Sequence, residues 1–292
     1  MSRVYEALNK AEKERKQKTA RLRVSAGKPL RGEKIEEKEG KLKAPLTGIF
    51  KEEVVEGQIN DLLVTLNDSL SPSADQFMKI GVRMVQQNGQ PGKKTVLVTS
   101  AHPQEGKTMV ASNVGIGLAR LPDTNVTLID ADLRKPALHK MFGISVNKGL
   151  SEYLEGSADI SEILYGTPVP RLFIIPGCEA HPHPERILSA SKVQKLLKEL
   201  QGKQPDGYVV IDSSPMFFTA EPEIFLNCVD SVIMVVRYGK TQRANLQRAL
   251  GLLDKRKVMG IIFNQVDNVF FKKNDYYHSL KRERFANEPS HV

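Results

Sequence analysis

Three places in the chain end an apolar run on residues that handle phosphate or a hard cation. In the first, Thr95-Val96-Leu97-Val98-Thr99 runs into Ser100-Ala101-His102-Pro103-Gln104-Glu105-Gly106-Lys107-Thr108, and a helical pattern with Val110, Val114 and Leu118 follows. A strand, a turn and a helix start present backbone N–H groups to an anion. In that setting Lys107 reaches the β- and γ-phosphates of a nucleotide, and the Thr108 hydroxyl serves Mg²⁺. The general pattern has Gly where this chain has Ala101, which fits if that position avoids positive φ.

In the second place, Val126-Thr127-Leu128-Ile129 closes on Asp130-Ala131-Asp132-Leu133-Arg134. Here Asp130 could orient or deprotonate an attacking group, and Asp132 could hold a metal or its waters. In the third, Val209-Val210-Ile211 closes on Asp212-Ser213-Ser214-Pro215, the arrangement in which a carboxylate holds Mg²⁺ through water. Each alone is also what an ordinary strand–turn–helix junction or a helix-capping Asp produces. Three in one chain supply the hard oxygen ligands that a magnesium nucleotide needs, and together they point to ATP with Mg²⁺.

The elements that must position these groups follow from periodicity. Apolar β-rich runs at 95–99, 126–129, 172–175, 208–211, 231–236 and 258–263 alternate with helical patterns near 107–120, 184–200, 220–228 and 241–254, after a helix at 75–87. Continuous apolar strands separated by helices predict an α/β fold, a doubly wound, mostly parallel sheet with helices on both faces. Ligands of such sheets sit beyond the carboxyl ends of the strands, where the three motifs fall. The pattern places the domain at 74–270, preceded by a basic helix and linker over 1–73 and followed by a tail over 271–292. Residues 3–19 read as a short amphipathic helix with Val4, Leu8 and Ala11 on one face, 24–48 as a flexible linker, and 49–73 takes no firm assignment.

Charge and cysteine content narrow the classes. The net charge of +9 belongs to the ends: residues 1–48 hold 14 Lys/Arg against 7 Asp/Glu, so no basic groove is expected on the body and nucleic acid is not the expected partner. Cys178 and Cys228 give neither a disulfide framework nor a metal quartet. His181-Pro182-His183-Pro184 reads as a rigid loop without the further ligands that a metal site requires. No run approaches the ~20 apolar residues needed to span a bilayer, and the chain shows no signal-peptide stretch. The expected location is the cytoplasm, at the inner face of the membrane only through a partner.

Taken together, these residues resemble the bacterial tyrosine kinases, within the deviant-Walker P-loop ATPases. The resemblance is carried by Ala101-x-Pro103-x-Glu105-Gly106-Lys107-Thr108, by 128–136 (Leu-Ile-Asp-Ala-Asp-Leu-Arg-Lys-Pro) and by 210–215 (Val-Ile-Asp-Ser-Ser-Pro), with further support at 149–154, 235–241 and 260–266. It covers roughly 74–270, and residues 1–12 look like the start of the exopolysaccharide (PEP-CTERM) locus branch. It implies a Mg-ATP-dependent tyrosine autokinase acting in exopolysaccharide polymerisation or export. Its expected partner is a membrane chain-length-determinant (polysaccharide co-polymerase) protein, and homo-oligomers are expected. The implied nucleotide-binding residues are Pro103, Gln104, Glu105, Gly106, Lys107, Thr108, Met109 and Asn264. Catalysis falls to Lys107, Asp130 and Asp132, the metal to Thr108, Asp130, Asp132 and Asp212, and autophosphorylation to Tyr276 and Tyr277.

The chain departs from that pattern in three ways. Gln104 stands where the family has Gly, only Asp75 and Arg83 echo the charged ring-contact helix, and the tail carries two tyrosines rather than a longer cluster. These departures keep open an ATP-driven switch or scaffold without kinase activity, and the basic N-terminal arm keeps open a partition-type ATPase that binds DNA through it.

Overall fold

The structure, a computed structural model, describes residues 57–87 and 94–266. The expectations for the amphipathic helix, the linker and the tail, including Tyr276 and Tyr277, lie outside the described residues.

Each apolar run forms a strand: β1 (Thr95–Ser100), β2 (Val126–Asp130), β4 (Leu172–Ile175), β5 (Tyr208–Asp212), β6 (Ser231–Arg237) and β7 (Val258–Asn264), with the two-residue β3 (Tyr165–Gly166) added at one edge. They form one seven-stranded sheet in the order β3-β4-β2-β5-β1-β6-β7. All neighbours are parallel except β3, which pairs antiparallel with β4. Alternation along the strands divides the core in two. On one face lie Val96, Val98, Leu128, Val210 and Ile233; on the other lie Leu97, Ile129, Ile211, Val232 and Met234. Both faces are apolar because helices cover both, as a parallel sheet requires.

The helices are, in chain order, α1 (Val64–Asn67), α2 (Pro72–Gln87), α3 (Lys107–Ala119), α4 (Leu138–Met141), α5 (Leu150–Glu155), α6 (Ile160–Ile163), α7 (Pro184–Ile187), α8 (Ala190–Lys203), α9 (Glu221–Cys228) and α10 (Arg243–Gly251). The single helix expected at 184–200 is two, because Leu188 adopts an extended conformation and the Ser189 hydroxyl accepts the Lys192 N–H to start α8 afresh. The shorter elements α1, α4, α5, α6 and β3 carry too few residues to show a period and were not expected.

Helix α3 is buried on nearly all sides, which explains its unbroken apolar composition. It lies between the sheet and α2. A Cβ at Gly117 would meet the Phe77 carbonyl oxygen at 3.0 Å, so glycine permits the close approach of the two helices. Asn113, a buried polar side chain in the middle of α3, has a structural task. It accepts the Thr65 N–H (2.9 Å) and donates to the carbonyls of Leu62 and Met109 (2.9 Å each). This anchors residues 57–67, including the fully buried Leu63, to the helix that begins at the phosphate loop.

Candidate active site

The loop between β1 and α3 turns on two left-handed residues, Gln104 (φ 62°) and Gly106 (φ 91°), while Ala101 stays out of that region. Glycine is favoured at position 106 on two counts. Its φ is positive, and a Cβ would come within 2.0 Å of the Asn264 amide nitrogen. Gln104 has no such freedom and holds a conformation that costs a non-glycine residue roughly 1–2 kcal/mol.

Two side chains from outside the loop, Thr241 and Asn264, brace it through Glu105. The Glu105 carboxylate accepts the His102 N–H (3.0 Å) and the Thr241 hydroxyl, and Thr241 in turn accepts the Arg237 N–H at the end of β6 (3.1 Å). From the end of β7, Asn264 donates to the Glu105 carbonyl (2.9 Å). Glu105 and Asn264, expected to meet nucleotide, thus spend these groups on the loop itself. Pro103 and Gln104 are exposed, and Met109 is partly buried. Helix geometry leaves the first-turn N–H groups of Lys107, Thr108 and Met109 without intrahelical acceptors, and Val110 is the first to bond back, to the Gly106 carbonyl (2.9 Å).

The carboxylates arrive from two adjacent strands. β2 and β5 pair in a register that sets Asp130 directly beside Asp212, and β5 lies next to β1. Asp130 is fully buried. Its Oδ2 accepts the N–H groups of Ala137 (2.8 Å) and Leu138 (2.9 Å), and its Oδ1 accepts that of Asp132 (3.3 Å). Burial nevertheless outweighs these bonds and pushes its pKa up to about 7.

Asp212 is 1% exposed, and burial together with the charge of Asp130 raises its pKa well above the usual range, against the Thr108 hydroxyl bond and the Lys107 ammonium. Its Oδ1 is buried with no hydrogen-bond partner. Asp132 is only partly buried; its pKa is raised by burial and opposed by Lys107. One rim of the sheet therefore brings together Lys107, Thr108, Asp130, Asp132 and Asp212.

A magnesium nucleotide fits these residues. The buried, unpartnered Asp212 oxygen beside the Thr108 hydroxyl is an acceptor in need of a cation, and the loop offers N–H donors to phosphate. Among the described residues no cluster of three or more His, Cys, Asp or Glu forms a ready-made cage. Mg²⁺ is bound through one or two carboxylates, with water and phosphate oxygens completing its shell.

No protein-family model matches the chain. It is 30% identical over 177 residues to the tyrosine-protein kinase CpsD of Streptococcus agalactiae serotype III, covering 60% of this chain and 75% of that protein. The chain belongs to the bacterial tyrosine kinases. Solved kinase structures agree in fold. The kinase domain of the Escherichia coli tyrosine kinase ETK superposes with a TM-score of 0.63 at 20% identity over 70% of this chain and 82% of the other. The VpsO kinase domain gives 0.57 at 27% identity, over 67% and 98%.

This kinase has site neighbours that spacing did not reveal. His102, in the loop, packs edge-on against Phe217 (ring centroids 5.5 Å apart) and Phe218 (5.8 Å), and Phe218 is 60% exposed. The hydroxyls of Thr99 and Ser213 bond across the β1 and β5 ends to Ser214 and Val98 carbonyls, tying the third carboxylate loop to the first motif. Only a polar residue inside an apolar strand end could have hinted at the last two.

Proposed function

We propose that this chain is a Mg-ATP-dependent tyrosine autokinase of an exopolysaccharide polymerisation or export system, working beside a membrane chain-length-determinant partner. The observation that carries the nucleotide site is the buried, unpartnered Asp212 oxygen, in register with Asp130 and adjacent to Lys107 and Thr108. Family membership supports the acceptor type, and the resemblance of the opening residues supports the polysaccharide setting. Among the described residues no helix is long and apolar enough to cross a membrane.

In this reading the loop N–H groups and Lys107 bind the phosphates and stabilise charge on the transferred group. Magnesium, when bound, would neutralise charge on the phosphate oxygens. The acceptor tyrosine oxygen forms its bond to the γ-phosphorus as the bond to the β–γ bridging oxygen breaks, and ADP leaves. Asp132 is the better placed carboxylate to take the phenolic proton, because it reaches the surface whereas Asp130 is buried and committed to three backbone donors. Asp130 then shapes the loop and sets the local charge.

Incubation of the full chain with labelled ATP tests this. Label on the peptide holding Tyr276 and Tyr277, lost in Lys107→Met by at least about 100-fold, is expected. Nucleotide-dependent association with a membrane partner and no phosphotyrosine would instead establish the switch reading, which the left-handed Gln104 in the phosphate loop favours.

A further inference from the structure

The loop that carries Asp132 is held from an unexpected side. The Asp132 carboxylate accepts the backbone N–H of Lys135 (3.2 Å). Arg134 is itself anchored through its side chain. Its Nε donates to Glu221 Oε1 and its Nη2 to Glu185 Oε2, each at 2.9 Å. Glu221 is the first residue of α9, which follows the Asp212 loop, and Glu185 lies in α7. One guanidinium therefore ties the Asp132 loop to α7 and α9.

The two anchors differ in kind. The Glu185 and Arg134 side chains are 47% and 43% exposed, so their pair contributes little by itself. The Glu221 side chain is 3% exposed, and its Oε2 is buried with no partner. An interior carboxylate with half its acceptors empty is costly, and an apolar residue of similar volume would serve folding as well or better. What the carboxylate supplies, and a leucine could not, is a fixed attachment for Arg134.

We infer that Glu221 is a positioning residue for the magnesium-nucleotide site: through Arg134 it fixes the 130–135 loop so that the Asp132 carboxylate faces Lys107. This rests on the nucleotide-site reading given above. Glu221 acts as an outer partner of a metal-facing carboxylate, the kind of residue whose loss weakens metal binding while the phosphate loop stays intact.

The experiment measures affinity of the full chain for a fluorescent ATP analogue with and without Mg²⁺, alongside Tm. In the parent protein Mg²⁺ tightens binding. Glu221→Leu is expected to cut that enhancement by about tenfold or more, with magnesium-free affinity changed by no more than about twofold. Glu221→Gln, which keeps an acceptor for Arg134, is expected to restore most of it. Arg134→Gln, at the more exposed end of the contact, must show the same loss and serves if the leucine variant does not fold. An intact enhancement in Glu221→Leu or in Arg134→Gln overturns the inference. So does an equal loss with and without Mg²⁺, which marks a purely structural role. Absence of any enhancement in the parent protein would overturn the site reading itself.

Discussion

At the scale of single residues, the site is built around carboxylates that the protein would rather not ionise. Asp130 and Asp212 sit side by side in the interior, and the pKa of Asp130 is raised to about 7. A carboxyl whose folded pKa exceeds its unfolded value stabilises the fold below the unfolded value and loses that contribution as pH rises through the folded one. Ligand-free protein should therefore lose stability between about pH 4 and 7 on account of this group. Asp130→Asn, which keeps an oxygen for the Ala137 and Leu138 N–H groups, is expected to raise stability by roughly 1–3 kcal/mol at pH 8 and by much less at pH 5, while kinase activity falls. Urea unfolding at the two pH values checks this, and a variant less stable than the parent at pH 8 contradicts it. A second residue-scale expectation concerns Gln104. Because its φ is 62°, Gln104→Gly should stabilise the chain by roughly 0.5–1 kcal/mol and leave nucleotide affinity equal or better. A drop in Tm would show that the glutamine side chain makes a contact worth more than the backbone strain.

Among the elements, strands were legible and short helices were not. Six apolar runs of four to six residues matched six strands to within a residue or so, because burial on both faces leaves no alternation to confuse with a surface strand. The interruption at Leu188 and Ser189 was hidden by the helical spacing on either side of it. The segment 57–67 was unreadable for a different reason. Its hold on the body comes from Asn113 and from the Met141 and Gly143 carbonyls, all far away in sequence, and periodicity cannot report bonds that span the chain. Asn113→Ala should cost roughly 1–3 kcal/mol, since it leaves the buried Thr65 N–H without its acceptor and removes the bond to the Leu62 carbonyl. Hydrogen exchange should then show early opening of 57–67 with β5 unaffected. Unchanged protection of Thr65 would refute the anchoring role.

For the whole molecule, ligand binding and folding are coupled through the same rim. A magnesium nucleotide should stabilise the chain by about 2.7 kcal/mol at a hundredfold excess over Kd. The rise in Tm should be larger at pH 8 than at pH 6, because raised carboxyl pKa values leave protons to be displaced at the lower pH. Addition of a chelator should remove most of the gain. An equal shift at both pH values would argue that neither buried carboxyl changes protonation on binding. The sequence alone determined the nature of the parts: a phosphate loop ending in Lys107 and Thr108, carboxylates at strand ends, and apolar runs long enough for a sheet with two covered faces. Those features are local, and each is written in consecutive residues. Only the tertiary structure decided that β2 and β5 are neighbours in a register that pairs Asp130 with Asp212. It alone showed that Glu105 and Asn264 brace the loop and that a buried Glu221 grips Arg134. Strand order and side-chain partners depend on contacts between residues tens of positions apart, and no local pattern encodes which of several compatible partners packing will select.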